Sequence, residues 1–440
     1  MDKSIDKNVF LSLDLGTSSI HGVLAKYNDE NQIEILSAET FVSDGIKCGA
    51  ISDISAAEYT VNKFLDKAEA DFGLKQVKLI CAIRGSQIEV FSANAGLGLK
   101  NNDDTNICRV TEETISDIRN RLEEANKLPE NKETIEIIPQ QYKLDEQEVV
   151  NPERMGGKYL ELSAVVVTGI KSYLTNIRQA TGGEILRYGY TAIANTLVSK
   201  DDKDYGCILV DIGGMTTGIV VYVEGKLKYA FELNFGSDYV TRDILKKLRI
   251  TLKEAKAIKE KYGYILEDLI TENTEFEYNV PGNQKQKCTV RDLVDIIKPQ
   301  VDLQLSEIYS ALLKRGIRPD EFVGGFLLTG GGSLLKGMPE AFSKYFSTSA
   351  KCVNFSTDDF IYQQEKKENL DSLVNSQVYT SCFAILKNKS KNLVDSDYNL
   401  EEGEQEEYED IEDDELEEAG VIKKFWKKIT AAVNAFKKMS

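Results

Sequence analysis

The sequence predicts an α/β protein of two related domains with duplicated sheets. Two stretches repeat one design, in which an apolar strand reaches an aspartate, a turn of glycine and hydroxyl residues follows, and a second strand begins. They are VFLSLDLGTSSIHGVLAKY (9–27) and CILVDIGGMTTGIVVYVEGKL (207–227). A third stretch, GFLLTGGGSLLKGMPEAF (325–342), is a strand that runs into three glycines and then a helix. Strands alternating with helices are typical of α/β domains.

Composition limits the class of protein. The 440 residues hold 54 Lys+Arg against 72 Asp+Glu, a net charge of -18, and 42% are hydrophobic. This length predicts more than one domain, and no apolar run reaches the roughly 18 residues that a spanning helix needs. The first residues, MDKSIDKNVF, lack the apolar segment of a secretory signal. Seven cysteines without a CxxC pair predict reduced thiols, and the single histidine, His21, excludes histidine-rich zinc sites.

The acidity is concentrated near the C-terminus. Residues 395–418 contain 15 Asp/Glu and no Lys/Arg. Such a block repels itself and cannot bury enough apolar surface to fold. We therefore expect the folded part to end near Lys389 and a disordered acidic linker to occupy residues 391–420, either as a spacer or as a solvating tail without a binding role.

The last twenty residues, 421–440, predict a basic amphipathic helix. They contain six lysines and no acid, and their apolar residues fall on one face of a helical wheel. A basic amphipathic helix with aromatic residues is typical of a membrane surface, while a groove in a partner protein and docking on the chain's own core are the alternatives. The candidate membrane residues are Ile422, Phe425, Trp426, Ile429, Val433 and Phe436.

The two hairpin turns predict a phosphate site. Backbone N–H groups of the tight turns Gly16–Ser19 and Gly213–Thr217 can converge on an anion, and the hydroxyls add donors. Asp14 and Asp211 close equivalent strands and are candidate ligands of Mg²⁺, usually through water. The triple glycine Gly330–Gly332 lets a flat ring approach the backbone. One such turn is weak evidence, but three in this order predict two domains that hold one phosphate chain.

These motifs resemble the actin/sugar-kinase/heat-shock-chaperone superfamily and, within it, the FtsA family of bacterial division actins. The segments GIKCGAISDISAAEYTVNKFLDKAEADFG, PQQYKLDEQEVVNPERMGGKYLEL and NFGSDYVTRDI are similar to segments of that family, and the C-terminal helix is similar to its membrane anchor. The resemblance covers residues 8–388 and 421–440. It implies an actin-like two-domain fold with ribonuclease H-like sheets and an inserted FtsA-type subdomain.

The resemblance also implies a division into subdomains. The insert carries the name 1C, and the small lobe above the nucleotide carries the name 2B. The expected ranges are 1–85, 164–200 and 376–388 for subdomain 1A, 86–163 for 1C, 204–240 and 301–350 for 2A, and 241–300 for 2B.

The site that the resemblance implies binds ATP and Mg²⁺. Asp14 and Asp211 are the expected metal residues, and no catalytic residue is assigned. The expected nucleotide-binding residues are Asp14, Gly16, Thr17, Ser18, Ser19, Asp211, Gly213, Gly214, Met215, Thr216, Thr217, Gly236, Lys259, Gly330, Gly331, Gly332, Ser333 and Met338.

The second phosphate motif departs from the family pattern GGGTTD. Met215 stands where relatives have a glycine, and Gly218 stands where they have a carboxylate near the metal and the attacking water. In the small lobe Lys256 replaces the usual nucleoside-contacting glutamate. We therefore expect ATP binding with weak or no hydrolysis, and an aspartate restored at position 218 is expected to raise turnover.

The resemblance implies partners as well. The C-terminal tail of the tubulin-like FtsZ is expected on subdomain 2B, whose residues 242–261 hold eight Lys/Arg against three Asp/Glu, with Arg249 and Lys253 as candidate contacts. A solvated helix face is the simpler explanation of these charges. Self-association into filaments, an anionic membrane surface and other division proteins on subdomain 1C complete the expected partners, without nucleic acid. The expected location is the cytoplasmic face of the membrane at the division septum.

Two other functions use the same kind of fold. An ATP-dependent small-molecule kinase would need a general base beside the acceptor hydroxyl, and Asp53 and Asp145 are candidates by residue type alone. A pilus-assembly relative would normally lack the basic terminal helix. Because a fold does not fix a function, the terminal helix is the feature that favours the division protein.

Overall fold

The computed structural model describes residues 8–28, 30–99, 107–183, 185–281, 284–362 and 367–396. The described residues up to 392 lie in one compact unit. Within the part that is described, no helix is long and apolar enough to cross a bilayer. Outside it lie residues 397–420 of the predicted linker 391–420 and the predicted helix 421–440, with the candidate membrane residues Ile422, Phe425, Trp426, Ile429, Val433 and Phe436. Residues 391–396, predicted as the start of the linker, belong to the last described helix.

The described chain contains both strands and helices. The strands are β1 (Val9–Leu15), β2 (Ser19–Tyr27), β3 (Ile33–Val42), β4 (Ile46–Lys47), β5 (Ala50–Ile51), β6 (Lys78–Ile83), β7 (Ile88–Gly98), β8 (Cys108–Arg109), β9 (Lys132–Leu144), β10 (Gln147–Val149), β11 (Gly156–Gly157), β12 (Tyr159–Ile170), β13 (Ile185–Tyr188), β14 (Cys207–Ile212), β15 (Thr217–Val223), β16 (Lys226–Leu233), β17 (Glu275–Val280), β18 (Gln284–Thr289), β19 (Phe326–Thr329) and β20 (Ala350–Cys352). The helices are α1 (Ile54–Phe72), α2 (Glu112–Ala125), α3 (Lys171–Thr181), α4 (Gly189–Leu197), α5 (Lys200–Tyr205), α6 (Ser237–Leu248), α7 (Leu252–Tyr262), α8 (Val290–Leu313), α9 (Met338–Phe346), α10 (Lys367–Asn375) and α11 (Thr380–Ser396).

The first sheet has five strands in the order β13-β6-β1-β2-β3. All seven residues of its central strand, VFLSLDL, are buried, as expected of a strand with elements on both faces. Strand β1 pairs antiparallel with β2 and parallel with β6. Helix α1 begins at Asp53, whose side chain accepts a hydrogen bond from the N–H of Ala56, and it packs Val61 and Phe64 into the core.

The second sheet repeats this arrangement. Its order is β16-β15-β14-β19-β20, and the central strand, CILVDI, is again fully buried. Strand β14 pairs antiparallel with β15 and parallel with β19. This confirms the predicted duplication of the sheets. Because parallel strands end at the same edge of a sheet, the residues after β1 and β6 lie together, and so do those after β14 and β19.

The insert between β6 and α3 is a four-stranded sheet, β10-β9-β12-β7, with helix α2 on it. Strand β12 ends at Ile170, past the predicted boundary at residue 163. The cause is the two-residue period of a strand. Val165 and Val167 pack in the core of the first domain, whereas Ala164 and Val166 pack in the core of the insert. A single strand therefore belongs to both subdomains.

The small lobe contains α6, α7, the hairpin β17–β18 and the first part of α8. Helix α7 begins with a capping box, in which Thr251 and Glu254 bond each other's backbone N–H groups. The rings of Tyr262 and Phe276 stack with centroids 4.4 Å apart and tie α7 to the hairpin. Ile258 and Phe276 share one core with the second sheet. The lobe is thus held against the sheet that carries the second hairpin turn.

Candidate functional site

A cavity of about 680 Å³ lies between the two sheets, at the edge where their central strands end. The turns of both hairpins and the triple glycine line it, so the duplicated fold brings all three predicted motifs together. Fifteen of the predicted nucleotide-binding residues line this cavity: Asp14, Gly16, Thr17, Ser18, Ser19, Asp211, Gly213, Gly214, Met215, Thr216, Lys259, Gly330, Gly331, Gly332 and Met338.

The first turn is fixed by two of its hydroxyl residues. Thr17 Oγ1 accepts a hydrogen bond of 2.9 Å from the N–H of Cys48. Ser18 Oγ donates a hydrogen bond of 2.6 Å to Asp238 Oδ2, which belongs to the other domain. The Ser18 hydroxyl was predicted as a phosphate donor, but here it links the two sides of the cavity. The turn therefore leaves its backbone as the main anion-binding element.

The second turn is fixed by the start of helix α6. The N–H of Ser237 donates to the Gly213 carbonyl at 2.9 Å, and the N–H of Asp238 donates to the Gly214 carbonyl at 2.8 Å. Gly236 allows this contact, because a Cβ there would lie 2.5 Å from both carbonyl oxygens. Gly236 does not line the cavity itself. The close approach of the two carbonyl groups explains why residue 236 is a glycine, and no contact with a nucleotide is needed for this explanation.

The third turn combines a left-handed backbone conformation at Gly330 with open space at Gly331. Gly330 has a φ of 82°, and a Cβ there would lie 2.2 Å from Asp211 Oδ1. At Gly331 an added Cβ would meet nothing within 4 Å. Ser333 is buried, and its hydroxyl lies 2.7 Å from the Gly330 carbonyl and 2.5 Å from Gln377 Oε1. Ser333 thus holds the turn and does not line the cavity.

Thr217 is the third predicted residue outside the cavity lining. Its side chain is fully buried, and its hydroxyl donates to the Phe235 carbonyl at 2.8 Å. Thr217, Gly236 and Ser333 therefore support the second and third turns from behind. They were predicted as nucleotide-binding residues, but the hydroxyls of Thr217 and Ser333 bond within the protein and none of the three lines the cavity.

Arg84 is the residue that the sequence prediction missed. It follows strand β6, next to the end of β1, and its side chain is only 12% exposed. Its Nη2 lies 3.0 Å from Asp14 Oδ2 and 3.3 Å from Asp211 Oδ2, and it also contacts the Ser381 hydroxyl. Burial opposes the charge, but the two aspartates outweigh it and raise the pKa of Arg84. One guanidinium thus bridges the two carboxylates predicted to hold magnesium.

The predicted magnesium site does not fit these residues. Asp14 and Asp211 each already face a cation, and the described residues contain no cluster of three His, Cys, Asp or Glu side chains that could hold a metal. A divalent ion about 4 Å from the guanidinium would be repelled by roughly 8 kcal/mol, twice the unit-charge value at an effective dielectric constant of about 20, which offsets about half of the attraction that two carboxylates at the same distance would supply. The Arg84 contacts therefore argue against Asp14 and Asp211 as metal residues, and that assignment stays a prediction.

The ring of Tyr190 fills the space beside Gly218, the position at which relatives have a carboxylate. Gly218 lies under the ring of Tyr190, so an added Cβ would come within 2.1 Å of that ring. The Tyr190 hydroxyl donates a hydrogen bond of 2.7 Å to Glu232 Oε2. Burial raises the pKa of both Tyr190 and Glu232. An aspartate at position 218 has no room beside Tyr190, so the structure argues against the expectation that the single substitution would raise turnover.

Helix α7 supplies the charged wall of the cavity. Lys256, Lys259 and Glu260 line it, as expected for the two lysines. Lys259 Nζ donates to the Ser237 carbonyl at 3.1 Å, and burial lowers the pKa of its ammonium group. Lys259 therefore connects the small lobe to the start of α6.

Arg249 and Lys253, the predicted partner contacts, are exposed and lie outside the cavity lining. Arg249 ends helix α6 with a φ of 57°, and Lys253 is in the first turn of α7. The two candidate kinase bases have structural roles instead. Asp53 caps α1, and Asp145 accepts hydrogen bonds from the N–H groups of Lys158 and Tyr159. Neither aspartate lines the cavity.

Comparison with known proteins identifies related chains. A family model described as "Cell division protein FtsA" matches residues 208–384, and one described as "SHS2 domain inserted in FTSA" matches residues 85–168. The FtsA of Bacillus subtilis (strain 168) is 30% identical over 342 residues, 76% of this chain and 76% of that protein. The FtsA of Enterococcus hirae is 28% identical over 352 residues, 78% and 77% of the two chains.

Solved structures show the same fold at low identity. A PilM–PilN type IV pilus biogenesis complex superposes with a TM-score of 0.57 at 14% identity, covering 86% of this chain and 98% of that chain. MreB5 of Spiroplasma citri, solved with ADP, gives 0.51 at 14% identity, covering 88% and 99%. The fold is therefore actin-like with an SHS2 insert, and the chain belongs to the FtsA family of bacterial cell division proteins.

Proposed function

We propose that this chain is an ATP-binding division protein that joins the FtsZ ring to the cytoplasmic membrane and assembles into filaments there. The observation that carries the proposal is the cavity lined by both hairpin turns and the triple glycine. Tight glycine turns present backbone N–H groups to phosphates, and the open space at Gly331 suits a flat ring. Titration with a fluorescent ATP analogue tests this, and a chain that binds no nucleotide contradicts it.

Hydrolysis is proposed to be weak or absent. A nucleophilic water needs a positioned general base, and the tyrosine ring over Gly218 excludes a carboxylate from that position. Glu232, which pairs with Gly218 in the sheet, accepts a hydrogen bond from Tyr190 and does not line the cavity. Phosphate release over hours should remain far below the roughly 1–10³ s⁻¹ of ordinary enzymes. A rate inside that range contradicts this part of the proposal.

The FtsZ tail is proposed to bind subdomain 2B near Arg249 and Lys253. Both side chains are exposed, and residues 242–261 have an excess of Lys/Arg. Such a surface steers an acidic or mixed-charge peptide and loses affinity with salt. The double variant R249E/K253E should weaken binding at least about tenfold, whereas K75E, an exposed lysine on the first domain, should not. Equal affinity of the two variants favours a solvated helix face.

The membrane contact is proposed to be the basic helix 421–440. Six lysines near an anionic surface contribute about 1 kcal/mol each, and Phe425, Trp426, Ile429 and Phe436 add apolar burial. Trp426 is the only tryptophan, so its emission reports on this segment alone. Anionic vesicles should shift the emission to the blue and sediment the chain, and F425E/W426E should abolish sedimentation. Unchanged emission favours a partner groove.

Subdomain 1C is proposed as the surface for other division proteins.

A further inference from the structure

Arg84 occupies the place between the two carboxylates of the cavity. Its Nη2 contacts Asp14 from the first domain and Asp211 from the second, at 3.0 and 3.3 Å. The Tyr190 ring lies against the guanidinium, with the Cζ atom 5.1 Å from the ring centroid. The Arg84 carbonyl accepts a hydrogen bond from the Tyr173 hydroxyl, which holds the backbone at the end of β6. These contacts thus hold both the guanidinium and the backbone of Arg84 in place.

We propose that Arg84 is a built-in cation that takes the place of a divalent metal, so that this chain binds nucleotide phosphates without Mg²⁺. The inference rests on the proposed nucleotide binding and adds how the phosphates are neutralised. A guanidinium stays charged at all physiological pH values, and its planar fork suits phosphate oxygens. A metal between Asp14 and Asp211 would have to displace it from both ion pairs.

The guanidinium has donors left for a ligand. Arg84 Nε is a buried donor without a hydrogen-bond partner among the described residues, and Asp14 Oδ1 and Asp211 Oδ2 are buried acceptors without one. Arg84 Nη1 lies beside the second phosphate turn, 3.7 Å from the position of a Cβ on Gly213. A bridge that served stability alone would be expected to satisfy these groups within the protein, because buried unpaired groups are costly. The unpaired Nε donor indicates a place for the oxygen of an anion, whereas the two carboxylate oxygens need donors such as water.

The cavity wall balances the remaining charge. Asp14, Asp211, Asp238 and Glu260 line the cavity, and they face Arg84, Lys256, Lys259 and Lys336. The lining is therefore formally neutral without any metal ion.

The first experiment compares nucleotide affinity of the full chain with Mg²⁺ and with EDTA. A fluorescent ATP analogue should bind with dissociation constants that agree within about threefold in the two buffers. Binding that requires Mg²⁺ overturns this inference alone. Absence of binding in both buffers overturns the proposed function and this inference with it. Because the native chain is used, the result does not depend on the folding of a variant.

The second experiment changes the cation. R84Q should lose at least about tenfold in affinity in EDTA and recover it with Mg²⁺, while R84K should stay metal-independent. Isothermal titration with Mn²⁺ alone should detect a site in R84Q, removed again in D14N/R84Q, and none in the native chain. R178Q is the matched control, since Arg178 pairs with Glu133 outside the cavity. An R84Q variant that binds as tightly in EDTA as the native chain overturns the inference.

Discussion

The two halves of the cavity have one hairpin design and differ at two equivalent positions. Asp14 and Asp211 occupy the same place in β1 and β14. Opposite Asp14 in the sheet is His21, and opposite Asp211 is Gly218. In the first half the neighbouring parallel strand is β6, which ends just before Arg84. In the second half it is β19, which ends just before Gly330.

This difference separates two tasks. In the first half the side chains supply charge and polar groups: Arg84 bridges the aspartates, and His21 is hydrogen-bonded to Thr40 at 2.9 Å. In the second half the glycines supply space: Gly330 lets the backbone pass Asp211, and Gly218 admits the Tyr190 ring. The two hairpins share one backbone design. The residues at their equivalent positions differ, so that the first half provides charged and polar groups and the second half provides space.

The largest effect should follow from removing space at Gly330. In G330A the new methyl group would clash with Asp211 at a φ that alanine disfavours, which should cost roughly 3–5 kcal/mol of unfolding free energy and abolish nucleotide binding. Urea unfolding and a nucleotide titration measure both. G331A is the control, because its Cβ meets nothing within 4 Å, and it should stay within about 0.5 kcal/mol. Equal behaviour of the two variants would show that the third turn is not sterically restricted.

The next effect concerns Gly218 and Tyr190. G218D should destabilise the fold by about 3 kcal/mol and should not raise ATP turnover, since the carboxylate collides with the ring. In Y190A/G218D the ring is gone, so the two changes should couple by at least about 1 kcal/mol in a double-mutant cycle. Urea unfolding of the three variants gives the cycle. If the effects of Y190A and G218D on the unfolding free energy simply add, the side chain at position 218 does not contact the Tyr190 ring.

The matched control for this cycle is G98D. Gly98 is also a strand glycine, but an added Cβ there meets nothing within 4 Å. G98D should therefore change the unfolding free energy by no more than about 0.5 kcal/mol, and it should not couple to Y190A. If G98D is as destabilising as G218D, the cost belongs to aspartate in a strand and not to the ring.

Sequence patterns could predict the three turns because their signals are local. Glycine and hydroxyl residues after an apolar strand define a turn within a few residues, and the repeat of DLGTSSIH as DIGGMTTG fixes Asp14 and Asp211 as equivalent positions. Arg84 was missed because nothing near it marks a site. An alignment of the two halves could have found it, since it follows β6 as Gly330 follows β19.

The contacts across the cavity were not predictable from local patterns. Tyr190 reaches Gly218 only because α4 of the first domain packs against β15 of the second. Ser18 reaches Asp238 across a separation of 220 residues. Such pairs depend on how the domains dock, which no residue spacing encodes. For the same reason the roles of Thr217, Gly236 and Ser333 behind the turns became visible only in the structure.

The smallest effect should be a pH dependence that comes from one carboxyl group of the second half. Glu232 lies beside Gly218, and its Oε2 accepts a hydrogen bond from Tyr190 while its Oε1 is buried without a partner among the described residues. Burial raises the pKa of Glu232, and the Tyr190 hydrogen bond and Arg84 oppose this only in part. The folded chain therefore holds a proton that the unfolded chain releases near its ordinary pKa of about 4.3.

The sign of the effect follows from this raised pKa. Glu232 contributes stability that is fully present below the unfolded pKa and is lost as pH rises through the folded pKa, with a slope of at most about 1.4 kcal/mol per pH unit. Urea unfolding at a series of pH values above about 4.3 should show a shallower decline for E232Q than for the native chain. E58Q, at an exposed position on α1, should follow the native profile. If E232Q also follows it, Glu232 is ionised in the fold, and Arg84 offsets its charge as well as those of the two aspartates.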